Sequence, residues 1–222
     1  MVEEKLDGAN TGISFSRSGA LQLQCRGHYL TGGPGEAQFQ LFKPWAQTHQ
    51  AWLWETLGTR YVLYGEWLYA KHTEFYDALP HYFHEFDVLD LETDTFLSTP
   101  RRHAMLAGGP VISVPVLQTA KFNKLSDLTR LVGTSVYKSE NWAMALRDTA
   151  SELNLNPDTV LSETDNSRLS EGLYIKVEEN GAVTERYKWV RPDFLQTILE
   201  SGSHWKSRPI VPNQLRKGAS LW

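Results

Sequence analysis

The chain has 222 residues, 41% hydrophobic and 22% charged, with a formal net charge of −4 and a single cysteine, Cys25. That balance suits a well-cored protein and argues against a globally basic nucleic-acid binder. One cysteine excludes an internal disulfide framework and a cysteine-rich zinc site, and no run reaches the roughly 18 unbroken apolar residues of a membrane span. The start, Met-Val-Glu-Glu-Lys, carries neither a basic stretch nor an apolar run. It does not read as a secretory signal, and the expected location is cytoplasmic.

The elements predicted in chain order begin with an alternating run over residues 11–16, a turn at Arg17-Ser18-Gly19 and a second strand over 21–25, together a β-hairpin. Residues 31–35, Thr-Gly-Gly-Pro-Gly, form a loop. Residues 48–57 read as a helix, and the aromatic and β-branched run 61–69 as a buried strand. A polar connection over 72–80 leads to a strand over 82–89. Pro100 near the first helical position opens a helix at 98–100. Residues 111–116 read as a strand with an edge-type proline. Helical spacing covers 124–132 and 141–153, with Trp142, Leu146, Ala150 and Leu153 on one face. The segments 173–177 and 183–190 flank Asn180-Gly181, the preferred residues of a type I′ hairpin turn. Residues 192–199 form a last helix, and 201–222 an irregular tail that could dock through Trp205, Leu215 and Trp222. No repeat or linker interrupts the chain, so one α+β domain of mostly antiparallel strands over 1–222 is expected.

Charged residues stand inside several of these strands. Lys5 lies beside the Asp7-Gly8 turn, Glu66 follows Tyr64-Gly65 in an apolar strand, and Glu171 and Lys176 bracket another. Arg186 and Lys188 share one face of the last strand because side chains alternate, and two cations on one face suit a phosphate. Taken singly, each could be a solvated surface charge. His72, His81 and His84 cluster in sequence, but His81 and His84 point to opposite faces of a strand and cannot share a metal there. Cys25 reads as a small buried hydrophobe. Arg101-Arg102-His103 and Lys206, Arg208, Arg216 and Lys217 are candidates for local basic surface.

The order of the motifs is more specific than any one of them. Glu4-Lys5-Leu6-Asp7-Gly8-Ala9-Asn10, Gln24-Cys25-Arg26-Gly27, Tyr64-Gly65-Glu66-Trp67, Phe83-His84-Glu85-Phe86-Asp87, Glu171-Gly172-Leu173-Tyr174-Ile175-Lys176 and Arg186-Tyr187-Lys188 follow one another over residues 2–191. This series resembles the covalent lysyl-nucleotidyltransferases, and within them the ATP-dependent RNA ligases. The resemblance implies a nucleotidyltransferase (ATP-grasp-like ligase) fold, with antiparallel sheets and flanking helices around a nucleotide pocket.

It also implies that Lys5 attacks the α-phosphate of ATP to form lysyl-AMP, which then passes to a 5′-phosphate RNA end for joining to a 3′-hydroxyl. Catalytic roles fall on Lys5, Glu171 and Lys188. Nucleotide contacts fall on Glu4, Leu6, Asn10, Arg26, Glu66, Lys176 and Arg186, with Phe83 stacking on adenine and Phe86 as the second choice. Glu171 would hold Mg²⁺ or Mn²⁺. A lysine attacks only as the neutral amine, and its ordinary pKa is about 10.4. Lowering by burial or by the nearby cation Lys188 is therefore expected. Alternatives within the superfamily are a DNA ligase or a GTP-dependent capping enzyme; outside it, a non-catalytic module that holds nucleotide or RNA ends. Four residues precede Lys5 and 31 follow Arg191, fewer than the family usually carries. An additional domain or protein supplying the terminal segments is therefore an expected partner.

Overall fold

The computed structural model describes residues 1–33, 35–200 and 208–222. Ten strands among the described residues form one sheet: β1 (Val2–Lys5), β2 (Ala9–Phe15), β3 (Leu21–Cys25), β4 (Tyr61–Trp67), β5 (Phe83–Asp90), β6 (Thr95–Leu97), β7 (Ile112–Ser113), β8 (Val116–Gln118), β9 (Gly172–Glu179) and β10 (Ala182–Val190). Their order is β3-β2-β4-β5-β6-β10-β9-β1-β8, antiparallel throughout, and β7 adds one parallel pairing to β5. Among the described residues, the α-helices that pack around it are α1 (Phe42–Thr48), α2 (Gln50–Leu57), α3 (Thr99–Leu106), α4 (Leu125–Thr129), α5 (Trp142–Glu152), α6 (Pro157–Ser162) and α7 (Pro192–Glu200).

The connection between β1 and β2 sets the shape. Six strand-to-strand steps separate these two strands in the sheet order. In a flat sheet they would lie about 29 Å apart, at about 4.8 Å per step. Residues 6–8 alone join them, a link that spans at most about 14 Å. The sheet must therefore curl until its two wings face each other, and the link carrying Leu6, Asp7 and Gly8 crosses the mouth between them. A concave, backbone-lined space follows from topology alone.

The hairpins form as their turn chemistry predicts. Asn180 and Gly181 both have positive φ, 52° and 80°, and the register pairs Tyr174 with Lys188 and Gly172 with Val190. Gly172 is obligatory, because a Cβ there would lie 2.0 Å from the Trp189 carbonyl oxygen. The main core fills the wing of β2, β4 and β5 against α1 and α2, with Ile13, Phe42, Trp45, Leu53, Trp67 and Phe83 fully buried.

Several elements differ from the sequence expectation. The helix at 48–57 is two helices broken at His49, the first reaching back to Phe42 because Phe42, Trp45 and Ala46 all bury. The strand at 61–69 stops at Trp67. The strand at 111–116 splits around Pro115 into β7 and β8, and the helix at 124–132 contracts to α4. Residues 72–80 are not a polar surface connection: His72, Glu74, Phe75, Tyr76 and Leu79 are buried. Asp7 explains this, since its carboxylate accepts 2.7 Å hydrogen bonds from the backbone of Thr73 and Glu74 and draws the segment inward.

Arg102, predicted on a basic surface, is fully buried between Glu3 and Glu85. In the tail, Leu215 packs against the main core and against a second cluster of Leu6, Leu68, Tyr76 and Leu79, and Leu221 is buried, whereas Trp222 is 60% exposed and does not anchor it. Trp205, Lys206 and Pro34 lie outside the described residues. No helix among the described residues is long and apolar enough to cross a membrane.

Candidate active site

A cavity of about 520 Å³ opens between the wings. Lys5, the last residue of β1, stands at its centre. Pairing of Lys5 with Gly172 brings Glu171 alongside, and Lys5 Nζ lies 2.5 Å from Glu171 Oε2. From the other wing comes Glu66, on β4 opposite Asn10, with its Oε1 accepting the Gly8 N–H at 3.1 Å. Gly8 fits there only as glycine: a Cβ would lie 2.7 Å from Leu68 and 2.8 Å from the Trp67 carbonyl. Lys188 reaches in from β10, Arg26 stands exposed on the rim after β3, and Glu4, Leu6, Asn10 and Phe86 also stand along the wall.

The electrostatics reverse one expectation. Burial alone would lower the Lys5 pKa, but Glu171, Glu66 and Asp7 outweigh it and hold the ammonium above its ordinary value. The lysine is thus a charged, ion-paired group at rest rather than a pre-activated amine. The acids around it move the opposite way from solvated carboxylates. Burial lifts Glu171 to about 7 against the pull of Lys5, and Glu66 to about 8. Glu4 rises to about 7 by burial and leaves Oε1 without a hydrogen-bond partner. Lys188 is lowered by partial desolvation and then by the charge on Lys5. Glu171, the one of these carboxyls that touches the Lys5 ammonium, is lifted close enough to neutrality to gain or lose a proton at ordinary pH.

Three predicted contacts are not on the cavity wall. Phe83 is fully buried in the main core, with ring centroids 5.7 Å from Phe42 and 5.1 Å from Trp45. It fills the space left by Gly65, where a Cβ would meet the Phe83 ring at 2.4 Å. Strand alternation leaves Phe86, three residues on, facing the cavity, so the aromatic wall is Phe86. Lys176 is also fully buried, its Nζ 2.8 Å from Glu3 Oε2 and 3.0 Å from Asp87 Oδ1, and it donates to the Phe86 carbonyl. It braces the wall from behind and has no access to a ligand. Arg186 sits beside the cavity rather than on its wall, 3.0 Å from Asp87 Oδ2.

Cys25 packs against the main core as expected but is only half-buried, since it also lines the cavity with its Sγ 3.4 Å from His28 Nδ1. His28, Gln38, Phe39, His72, Val114 and Tyr174 also line the cavity and were not predicted. Tyr174 was within reach of the sequence, since it shares a strand face with Gly172. The others come from loops and the 3-10 turn Ala37–Phe39, whose path only the fold defines. Among the described residues no group of three or more acidic, histidine or cysteine side chains is gathered for a metal. Glu171 could serve only a hard cation that keeps phosphate and water oxygens as its other ligands, which is the habit of Mg²⁺.

The curled antiparallel sheet thus presents Lys5 among carboxylates and cations in a cleft of about 520 Å³. A family model described as RNA ligase matches residues 1–190, and the chain belongs to the RNA ligase family. Among solved structures, a Naegleria gruberi RNA ligase mutant with ATP and Mn is similar at 16% identity and TM-score 0.57, covering 90% of this chain and 51% of that one. Another mutant of the same ligase, with AMP and Mn, is similar at 17% identity and TM-score 0.56, covering 88% and 50%. At such identity the likeness is one of fold, and this chain spans about half the length of those structures. No curated protein sequence matches.

Proposed function

We propose that this chain is the nucleotidyl-transferring part of an ATP-dependent RNA ligase, with Lys5 as the covalent nucleophile. The observation that carries the reading is the Lys5–Glu171 contact at 2.5 Å inside a cavity also lined by Glu66, Lys188, Arg26 and Phe86. ATP or AMP with Mn in RNA ligase structures of the same fold supports the choice of nucleotide and metal.

Phe86 stacks on adenine, Glu66 accepts from a ribose hydroxyl, and Arg26 and Lys188 meet the phosphates, with Glu4, Leu6 and Asn10 closing the walls. Lys5 Nζ, which Glu171 contacts at 2.5 Å, loses its proton to solvent water. The freed nitrogen then bonds to the α-phosphorus as the bond to pyrophosphate breaks. Next, an oxygen of an RNA 5′-phosphate attacks that phosphorus, the P–N bond breaks, and Lys5 recovers its proton. A 3′-hydroxyl finally displaces AMP to join the ends. Such transfers depend on positioning and charge neutralisation more than on covalent strain. The residues present fit a divalent cation at Glu171, which when bound supplies further positive charge beside the transferred phosphorus.

The test is labelling with α-³²P ATP and Mg²⁺ or Mn²⁺. The expected result is an acid-labile band reversed by pyrophosphate, absent with labelled GTP and absent in Lys5→Ala. A band retained by Lys5→Ala, or a preference for GTP, contradicts the reading.

A further inference from the structure

A cavity of about 160 Å³ lies between Lys71, α6 and the tail from Arg208, and shares no lining residue with the nucleotide cavity. Lys71 Nζ and Arg208 Nη1 both donate to the Glu163 carbonyl oxygen, at 3.3 Å each. One shared acceptor therefore holds two cations within a few ångströms of each other. Lys71 gives a second bond to the His72 carbonyl at 3.2 Å, which leaves one of its three N–H groups over. Among the described residues one carboxylate lines the space, Glu163, and Arg208 Nε already engages it at 3.5 Å. Burial, and after it the charge of Arg208, push the Lys71 ammonium down to about 8, as befits a cation short of a counter-charge. Two neutral donors complete the lining. Asn156 Oδ1 accepts the Asp158 and Thr159 N–H groups at 2.9 and 3.2 Å, so the start of α6 is already satisfied and the Asn156 amide hydrogens are left over. The Thr159 hydroxyl has no partner among the described residues.

We infer that this cavity binds one free inorganic phosphate ion, held by Lys71 and Arg208 and completed by Asn156 and Thr159. A tetrahedral oxyanion offers enough acceptor oxygens for donors converging from four side chains, and its bonds to the two cations are charge-assisted. The space is about half the roughly 300 Å³ at which pockets begin to take drug-sized ligands, so a nucleoside carried on the phosphate does not fit inside. The ion joins segments that are distant in sequence. Lys71, whose own N–H donates to the Val211 carbonyl at 2.8 Å, opens the stretch in which the Thr73 and Glu74 N–H groups hold Asp7. An occupied cavity therefore braces the support of Asp7 without touching the nucleotide. The inference does not depend on the ligase reading, since none of these side chains belongs to the cavity around Lys5.

The experiment titrates the full chain with sodium phosphate at constant ionic strength in a calorimeter. The unaltered protein should bind phosphate saturably, and Lys71→Met should weaken that binding at least tenfold, the low end for loss of a hydrogen bond to a charged group. Asn156→Asp keeps the cap of α6, because Asp and Asn cap equally well, but sets a carboxylate where the amide donors stood. It should weaken phosphate at least tenfold with Tm held, which separates loss of the site from loss of the fold. Lys188→Met, altered only in the nucleotide cavity, should bind phosphate as the unaltered protein does. Absence of saturable binding, or full affinity in either Lys71→Met or Asn156→Asp, overturns the inference. Loss of affinity in Lys188→Met assigns the ion to the nucleotide cavity and overturns it as well. In a parallel anisotropy titration, a 5′-phosphorylated oligoribonucleotide whose affinity depends on Lys71 while free phosphate does not bind makes this a contact to RNA, and the free-ion site falls.

Discussion

Lys176 offers the sharpest separation of scaffold from site. Its ammonium is fully buried and touches Glu3, Asp87 and the Phe86 carbonyl, while Arg102 holds the far side of Glu3 and Glu85. Lys176→Met keeps the volume and removes the charge, leaving two buried carboxylates short of a partner. Breaking one member of a buried ionic set costs about 3–5 kcal/mol. For a chain of this length each kcal/mol moves Tm by about 2–4 °C, so a fall of about 6–20 °C is expected by calorimetry. Adding Glu3→Gln to Lys176→Met should restore part of the loss, because one of the stranded charges is gone. A variant with unchanged Tm but sharply weaker ATP binding would refute the argument and return Lys176 to the nucleotide contacts suggested by its motif.

The two phenylalanines should divide in the same way. Phe83→Ala empties a packed aromatic core and should cost about 3–5 kcal/mol; Phe86→Ala should raise half-saturating ATP about tenfold, through loss of a base stack, with Tm shifted by only a few degrees. Stability of the unliganded protein should fall as pH rises from about 5 to about 8. Glu4 and Glu171 keep their protons to about 7 and Glu66 to about 8 in the folded state, whereas the unfolded chain sheds them near 4.5. The folded state binds more protons in that window, so the slope is negative. In Glu66→Gln the decline, read as Tm against pH, should be shallower. Gly172→Ala should separate β9 from β10, and both Tm and AMP uptake should drop, the latter at least tenfold by about 1.4 kcal/mol per decade.

The residues that meet in the cavity were mostly legible because they are charges set in or at the ends of strands, Glu66 and Glu171 each next to a glycine. Lys5, Glu66, Glu171 and Lys188 needed only alternation and motif order to be chosen. Phe83 and Phe86 could not be separated that way, since the choice depends on Gly65 of the neighbouring strand receiving the Phe83 ring. Lys176 shares a strand face with the cavity residue Tyr174, and only the tertiary positions of Glu3 and Asp87 turn it into a buried brace. The sign of the Lys5 shift was hidden for a related reason: Asp7 was visible as a turn residue, while its charge, added to Glu66 and Glu171, outweighs burial only once the sheet has curled. β1 was missed because its Glu3 and Glu4 look solvent-facing in sequence and are both buried.

The central claim is that one named amine bonds to phosphorus. After incubation with ATP and Mg²⁺ or Mn²⁺, peptide mapping by mass spectrometry under non-acidic conditions should find one AMP on the peptide containing Lys5 and none elsewhere. AMP on any other side chain, or an unmodified Lys5 peptide in protein that seals RNA ends, would contradict the account.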